Sequence, residues 1–439
     1  MTRPLTRPLT PRYLRLFTTC LFFLCLLTWI GPWLDWHFGV QTVLGRVNNL
    51  AMLIALLFIV MLAVIPPSMR SRKEQLLMTM LGGLFLYAML ISLHRNGQSI
   101  IILGGLVAIF GSISAGLGAY SLGKSGMGVH HRILAFSVLT LPALAVPPIL
   151  IAWAPDAYPV FWHKVYGYEN VRAYGHFAAT VAIVLSGLAL HSLRARNPAI
   201  LAVHFIALAF AFSFLFWSGG RAGMVALLLA VVFSWIVMWR SVVSQIPFVF
   251  GAAGAGLLLS TLYYTPGRWF GVINRFQETL DNVASGGVAK ASHNRIEMWQ
   301  WAWGKILEEP LLGHGYLPMA RIRVEQFNYA HTHNIVIEYL LSFGLFFGSA
   351  ALLLAFGLWL RAVIAARRIA TPASQALLMV TTLLAIYSMF DATLFFPYYL
   401  MIFMASIGAL IGWDIHRQSP VPEKKAFEAR ADWMFEDLK

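Results

Sequence analysis

Apolar residues in this 439-residue chain gather into long runs broken by short polar connections. A helix crossing the hydrocarbon of a bilayer needs roughly 20 mostly apolar residues. The pattern predicts about twelve such spans, near 13–34, 47–66, 76–93, 98–119, 133–152, 174–193, 199–217, 222–239, 245–263, 334–360, 374–390 and 394–415. Only the turn Ser218-Gly219-Gly220-Arg221 parts the seventh from the eighth. The expected fold class is therefore an all-α polytopic membrane protein. Residues 1–263 supply nine transmembrane helices, 264–333 form one large outward-facing loop, 334–417 supply three more helices, and 418–439 form a polar tail.

The 264–333 loop is too long, and too rich in Trp and Gly, for a plain connector. Within it Asn294–Leu307 reads as an amphipathic helix, opened by Asn294 with Glu297 three residues on, a capping-box spacing. Ile296, Trp299, Trp303 and Leu307 recur at helical intervals, so one face is expected against the bilayer or the span bundle. Glu308-Glu309-Pro310 and Gly313 end the helix.

Composition agrees with the pattern. Hydrophobic residues make up 59% of the chain and charged residues 11%, where a soluble domain carries about twice that charge. The two cysteines, Cys20 and Cys25, share one apolar run and form no metal motif. The first run lacks a small-residue cleavage site and reads as an anchor.

A net charge of +14 raises the question of nucleic acid. The placement of the charge argues against it, because Lys and Arg are spread over the connections, where they fix topology and attract anionic lipid headgroups. With the basic N-terminus (Arg3, Arg7, Arg12, Arg15) in the cytoplasm, the cytoplasmic loops hold Arg70, Arg72 and Lys73, then Lys124 and Arg132, Arg194 and Arg196, Arg240, and Arg361, Arg367 and Arg368. The opposite short loops hold only Arg46, Arg95, Lys164, Arg172 and Arg221. An even number of spans returns the tail to the cytoplasm.

Arginines on the outer face are not needed for orientation, which makes them candidates for chemistry. Arg221 stands in Ser-Gly-Gly-Arg-Ala-Gly, where the glycines permit a tight turn and close backbone approach. Its guanidinium offers five donors in a rigid fork suited to phosphate. His331-Thr332-His333-Asn334 opens the tenth span, with Glu338 and Gly344 beyond. A histidine suits a general base taking a proton from a hydroxyl. No metal is expected there, since the stretch has no HExxH and no third ligand nearby. Arg172-Ala-Tyr-Gly175-His-Phe177 opens the sixth span on the same face. Together these sites predict a cationic pocket at the outer leaflet with one base, suited to the diphosphate of a lipid-linked substrate. Asp391, the one acid of the last outer turn, is placed to orient a histidine or pair with an arginine and is treated as structural.

At these residues the chain resembles the O-antigen ligase and O-antigen polymerase superfamily, over about residues 170–350. Arg172, Gly175 and Phe177 resemble its R-x-x-G-x-F element, and Ser218 to Gly223 its S-x-x-R-x-G turn. Arg295 to Gly315 resembles its R…W…A…P-L-x-G-x-G stretch, and His333-Asn334 with Glu338 and Gly344 its H-N…E…G stretch. Two positions depart from the pattern: Gly219, where a second Ser is common, and His314, where an apolar residue is usual.

The resemblance implies a metal-independent, cofactor-free glycosyltransferase of the bacterial inner membrane, working at the periplasmic face on undecaprenyl-diphosphate-linked glycan. On that reading Arg221 and Arg295, with Arg172, hold the donor diphosphate, and His333 deprotonates the acceptor hydroxyl. Asn334, His331 and Glu338 join the substrate-binding set. The favoured member is the ligase, which transfers glycan to the lipid A core, because a polymerase tends to have two substantial outer loops and 153–173 is short. A polymerase and a protein O-oligosaccharyltransferase remain alternatives. A secondary transporter is disfavoured for want of an internal repeat.

Overall fold

The computed structural model describes parts of 80–153 and then 171–195, 197–239, 243–265, 270–291, 295–321 and 331–418. The expected spans at 13–34 and 47–66, both cysteines and the tail beyond 418 lie outside the described residues, and those at 76–93, 98–119 and 133–152 fall partly outside them. Every element from residue 171 on is helical. They are α1 (Val171–Ala195), α2 (Pro198–Ser218), α3 (Arg221–Val237), α4 (Ile246–Ser260), α5 (Val272–Ala291), α6 (Arg295–Glu308), α7 (Pro318–Arg321), α8 (Ile335–Ile369), α9 (Pro372–Asp391) and α10 (Pro397–Gln418). Six stretches of them are long and apolar enough to cross a membrane, and α3 is a shorter apolar helix. These seven coincide with the last seven expected spans; the total of twelve is not reached among the described residues.

Local sequence sets the helix ends. Asn197 caps α2 by accepting from the N–H of Ala199 and Ile200, with Pro198 in the first turn. The helix stops at Gly219, whose φ of 67° turns the chain and whose N–H reaches Phe216 O at 3.2 Å. α9 starts with a capping box, Thr371 and Ser374 each serving the other's backbone.

α1 and α9 are buried along most of their length and pack on each other at the centre of the bundle. α2, α4 and α8 surround them and leave large apolar side chains such as Ile200, Val203, Phe250, Leu258, Leu353 and Phe356 exposed. In a membrane protein such faces meet lipid, which is as apolar as they are.

α8 continues to Ile369, past the end expected near 360, because Arg361 and Arg368 find a partner in Asp414 instead of ending the helix. It is broken once, at Gly344 (φ 76°). The break frees carbonyls that the 310–315 loop then satisfies. His314 N–H donates to Leu341 O at 2.9 Å, Gly315 N–H to Ser342 O at 2.8 Å, and Leu345 N–H to Pro310 O at 2.7 Å. Gly313 and Gly344 both take positive φ and pass so close that an added Cβ on either would meet backbone at 2.4 Å or less. This stitch ties the large loop to the helix that follows the histidine segment.

In that loop α6 appears where the amphipathic pattern places it, although Asn294 lies outside the described residues. Its buried face is Met298, Ala302 and Ile306, packed with Leu340, Leu341 and Met319, while Ile296, Trp303 and Leu307 are exposed. α5 was not expected: its sequence VINRFQETLDNVASGGVAKA mixes apolar and polar residues about equally and is too polar to read as a span, although they alternate with helical periodicity.

Candidate functional site

Three local constructions bring the site together. Gly219 and Gly220 turn the chain between α2 and α3, so Arg221 becomes the first residue of α3 at the end of the bundle. Gly175 on α1 lies against this turn, where a Cβ would meet Ser218 Oγ at 2.9 Å. The contact draws Arg172, one turn earlier on α1, toward Arg221. α5 then reaches over the turn. Gly271 N–H donates to Trp217 O at 2.7 Å, and Arg221 Nη1 donates to Thr279 Oγ1.

A cavity of about 370 Å³ lies between these elements, and its lining includes Arg172, Arg221, Arg275, Arg295, Tyr387 and Asp391. Arg275 pairs with Glu278 on the same face of α5. Burial, and then the positive charge of Arg221, push Arg275 down to about 10, with Glu278 opposing them. Arginines crowded in this way are a site prepared for an anion. Arg295, at the start of α6, donates from Nη1 to Phe390 O at 2.6 Å, at the C-terminal end of α9.

The histidine segment is held from several sides. Asn334 is the N-cap of α8 and accepts from Val336 and Ile337, while its Nδ2 donates to Met389 O at 3.2 Å. Glu338, fully buried, accepts from Thr332 N–H at 2.7 Å through Oε2. Trp299 Nε1 donates to Thr332 O at 2.8 Å. His333 then takes a φ of 55°, a conformation rare outside glycine that persists only when its surroundings enforce it. The turn places His333 Nδ1–H on Asp391 Oδ1 at 2.5 Å. On the far side of the same carboxylate, His176 Nε2 lies 2.9 Å from Oδ2. Burial lowers the pKa of His333, with the hydrogen bond to Asp391 acting against it.

His331 stacks edge-on against His333 at 4.1 Å between ring centroids, and its Nδ1 accepts the His333 N–H at 3.2 Å. Burial, with His333 beside it, pushes His331 down to about 3. His331, His333 and Asp391 each bring a possible ligand atom within 4.8 Å of the others, so a metal is compositionally conceivable. Asp391 is thus the third ligand type that the sequence reading did not find near the histidines, while Nδ1 of His333 is engaged by Asp391 and Nδ1 of His331 by a backbone N–H.

The structure thus gathers Arg172, Arg221 and Arg295 around one cavity. His333 stands behind Asp391, which is on the cavity wall. Asn334, His331 and Glu338 hold the histidine segment in place and are not among the residues lining the cavity. His314, the third histidine of the loop, is bonded to Lys305 O through Nε2 at 2.8 Å, at the far end of α6. Two members of the site escaped sequence reasoning. Arg275 was one cation among several in the loop, and the signal that finds it is the Arg-x-x-Glu-Thr pattern putting Arg275, Glu278 and Thr279 on one helical face. Asp391 was read as structural, because 58 residues separate it from His333.

Residues 206–352 match the family model described as O-antigen ligase. The matched residues, about a third of the chain, are similar to the domain of that family. The domain runs from α2 into α8 and holds Arg221, Arg275, Arg295 and His333, while Arg172, His176 and Asp391 lie outside the match. Among curated proteins none matches the chain. Members of that family are glycosyltransferase-like O-antigen ligases and polymerases with lipid-linked glycan substrates in general, and six helices of the present chain are long and apolar enough to cross a membrane.

Proposed function

We propose that the chain is an O-antigen ligase of the bacterial inner membrane. On this reading it moves glycan from undecaprenyl diphosphate to a hydroxyl of the lipid A core at the periplasmic face, with inversion and without a metal. The observation that supports the reading best is the convergence of four arginines on one cavity whose wall holds Asp391, with His333 hydrogen-bonded behind it.

The chemistry follows from the charges. The diphosphate of the donor enters among Arg172, Arg221, Arg275 and Arg295, and Glu278 gives up part of its hold on Arg275 to the incoming phosphate. Asp391 receives Nδ1–H of His333, so proton transfer belongs to Nε2. That nitrogen takes the proton of the acceptor hydroxyl as its oxygen attacks the anomeric carbon. The bond from that carbon to the phosphate oxygen breaks, and undecaprenyl diphosphate leaves with the electron pair. The arginines stabilise the charge that grows on it, an effect worth roughly 10²–10³ in rate per contact by analogy with oxyanion-hole donors. Asp391 stabilises the imidazolium, as the carboxylate of a catalytic triad does. One large loop at 264–333 against about twenty residues at 153–173 favours ligase over polymerase.

The test is transfer in detergent from undecaprenyl-diphosphate glycan to lipid A core, with a chelator present, beside folded His333→Ala and Arg221→Ala. Glycan on the lipid A core, with His333→Ala reduced about 10²–10⁴-fold, is the expected result. Glycan lengthening on the lipid carrier would move the protein to the polymerases. Activity that needs an added divalent metal, or full activity in His333→Ala, would overturn the mechanism.

A further inference from the structure

We infer that His176 is a positioning residue of the site: it fixes the carboxylate of Asp391, and through it the imidazole of His333. The inference rests on the functional reading above and adds a residue that reading does not use. His176 lies on the second turn of α1 and is buried. Its ring meets Tyr387 of α9 edge-on at 4.1 Å and Tyr399 of α10 at 5.4 Å, so it has one orientation. That orientation puts Nε2 at 2.9 Å from Asp391 Oδ2. The nitrogen makes no aligned hydrogen bond, and a buried N–H left without a partner is destabilising. Oδ2 is within reach, and a small rotation of the imidazole completes the bond.

Two features make this more than packing. First, the Asp391 carboxylate has one oxygen on each histidine, Oδ1 on His333 and Oδ2 on His176. A carboxylate held at one oxygen can swing about its Cβ–Cγ bond; held at both it cannot, and the acceptor for His333 Nδ1–H is then fixed in space. Second, the two histidines on one carboxylate link three elements: α1 carries His176 and Arg172, α9 carries Asp391, and the segment before α8 carries His333. His176 thereby ties the helix that brings Arg172 to the cavity to the carboxylate that holds the base.

A positioning role predicts a loss in kcat without a loss of donor binding. His176→Phe keeps the ring against Tyr387 and Tyr399 and removes the donor. Its kcat is expected to fall about 10–100-fold, the usual cost of deleting an orienting partner of a functional histidine, with KM for the lipid-linked donor within about twofold of wild type. His176→Gln returns an N–H near the position of Nε2 and is expected to recover most of the kcat. Wild-type kcat in His176→Phe, an equal loss in both variants, or a raised KM at unchanged kcat would each overturn the inference. In ¹⁵N-histidine-labelled protein, a hydrogen-bonded Nε2–H signal missing from His176→Gln is expected, and it should disappear in Asp391→Asn. Its absence from wild type overturns the inference whatever the transfer assay shows. A wild type that shows this signal but transfers no glycan places the fault in the functional reading instead.

Discussion

Two buried aspartates close opposite ends of the same helix bundle, and their partners differ in one respect. Asp391, at the end of α9, lies between His333 and His176 at 2.5 and 2.9 Å. Asp414, near the end of α10, lies between Arg361 and Arg368 at 2.7 and 3.5 Å. Both carboxylates are almost inaccessible and both join helices. An arginine keeps its charge at any pH a cell meets, so the Asp414 cluster is a fixed clamp that lets α8 run on to Ile369. A histidine exchanges its proton near neutrality, so the Asp391 cluster can act on a substrate. The lesson is that burial and pairing alone do not mark an active site. The proton inventory of the partners does, together with a neighbouring cavity of complementary charge.

The largest expected effect breaks this comparison directly. Asp391→Asn should lower transfer about 10³–10⁴-fold, the cost of losing the acid that holds a catalytic histidine in its tautomer, while the folded protein persists. Asp414→Asn should do the reverse. It should keep kcat per folded molecule and lose roughly 1–3 kcal/mol of stability, less than a fully buried pair would, because the Arg361 and Arg368 side chains are 35% and 57% exposed. Paired transfer assays and thermal unfolding in one detergent decide it. A stability loss in Asp391→Asn matching that of Asp414→Asn, at unchanged kcat, would reduce the two clusters to one kind.

A smaller effect sharpens the same contrast through the arginines. Arg275→Ala should reduce kcat/KM for the lipid-linked donor about 10²-fold, and Glu278→Gln should lower KM by removing the carboxylate that competes with phosphate for Arg275. Arg361→Ala, at the Asp414 end, should leave that KM unchanged. A donor KM indifferent to Arg275 would remove α5 from the binding site.

Much of this was legible in the sequence, for physical reasons that also explain what was not. The spans from 174 on follow from apolar run length, since only a helix satisfies its backbone inside a bilayer. Arg172 and Arg221 were visible because a cation outside the orienting loops needs another reason to be there, while Arg295 stood out only through the family resemblance. His333 was visible from its own motif. Its partner was not, because Asp391 becomes adjacent only when α9 packs beside α8 and the His333 turn adopts positive φ. Asn334, His331 and Glu338 were read as substrate contacts, and the structure adds the bonds that hold their segment, such as Thr332 N–H on a Glu338 oxygen. The extension of α8 past Arg361 was hidden in the same way, since its reason is Asp414, 53 residues on.

The finest distinction between the two ends is their response to acid. His331 is pushed from 6.5 to about 3 by burial and by His333, and His333 is shifted in the same direction. Between those values the unfolded chain binds protons that the folded protein refuses, so stability is present above the ordinary histidine value and is lost as pH falls from 6.5 toward 3. The limiting slope is about 1.4 kcal/mol per pH unit for each such histidine. His331→Asn keeps an acceptor for the His333 N–H and removes the proton site. Its unfolding temperature should therefore fall less steeply than that of wild type between pH 6.5 and 4, with both proteins alike above pH 7. Asp414→Asn should leave the contribution of His331 and His333 to the slope over that window in place, because both histidines that refuse protons remain. If His331→Asn keeps the full wild-type slope, the acid sensitivity of the fold belongs to other groups, and the division between an end that trades protons and an end that does not would rest on activity alone.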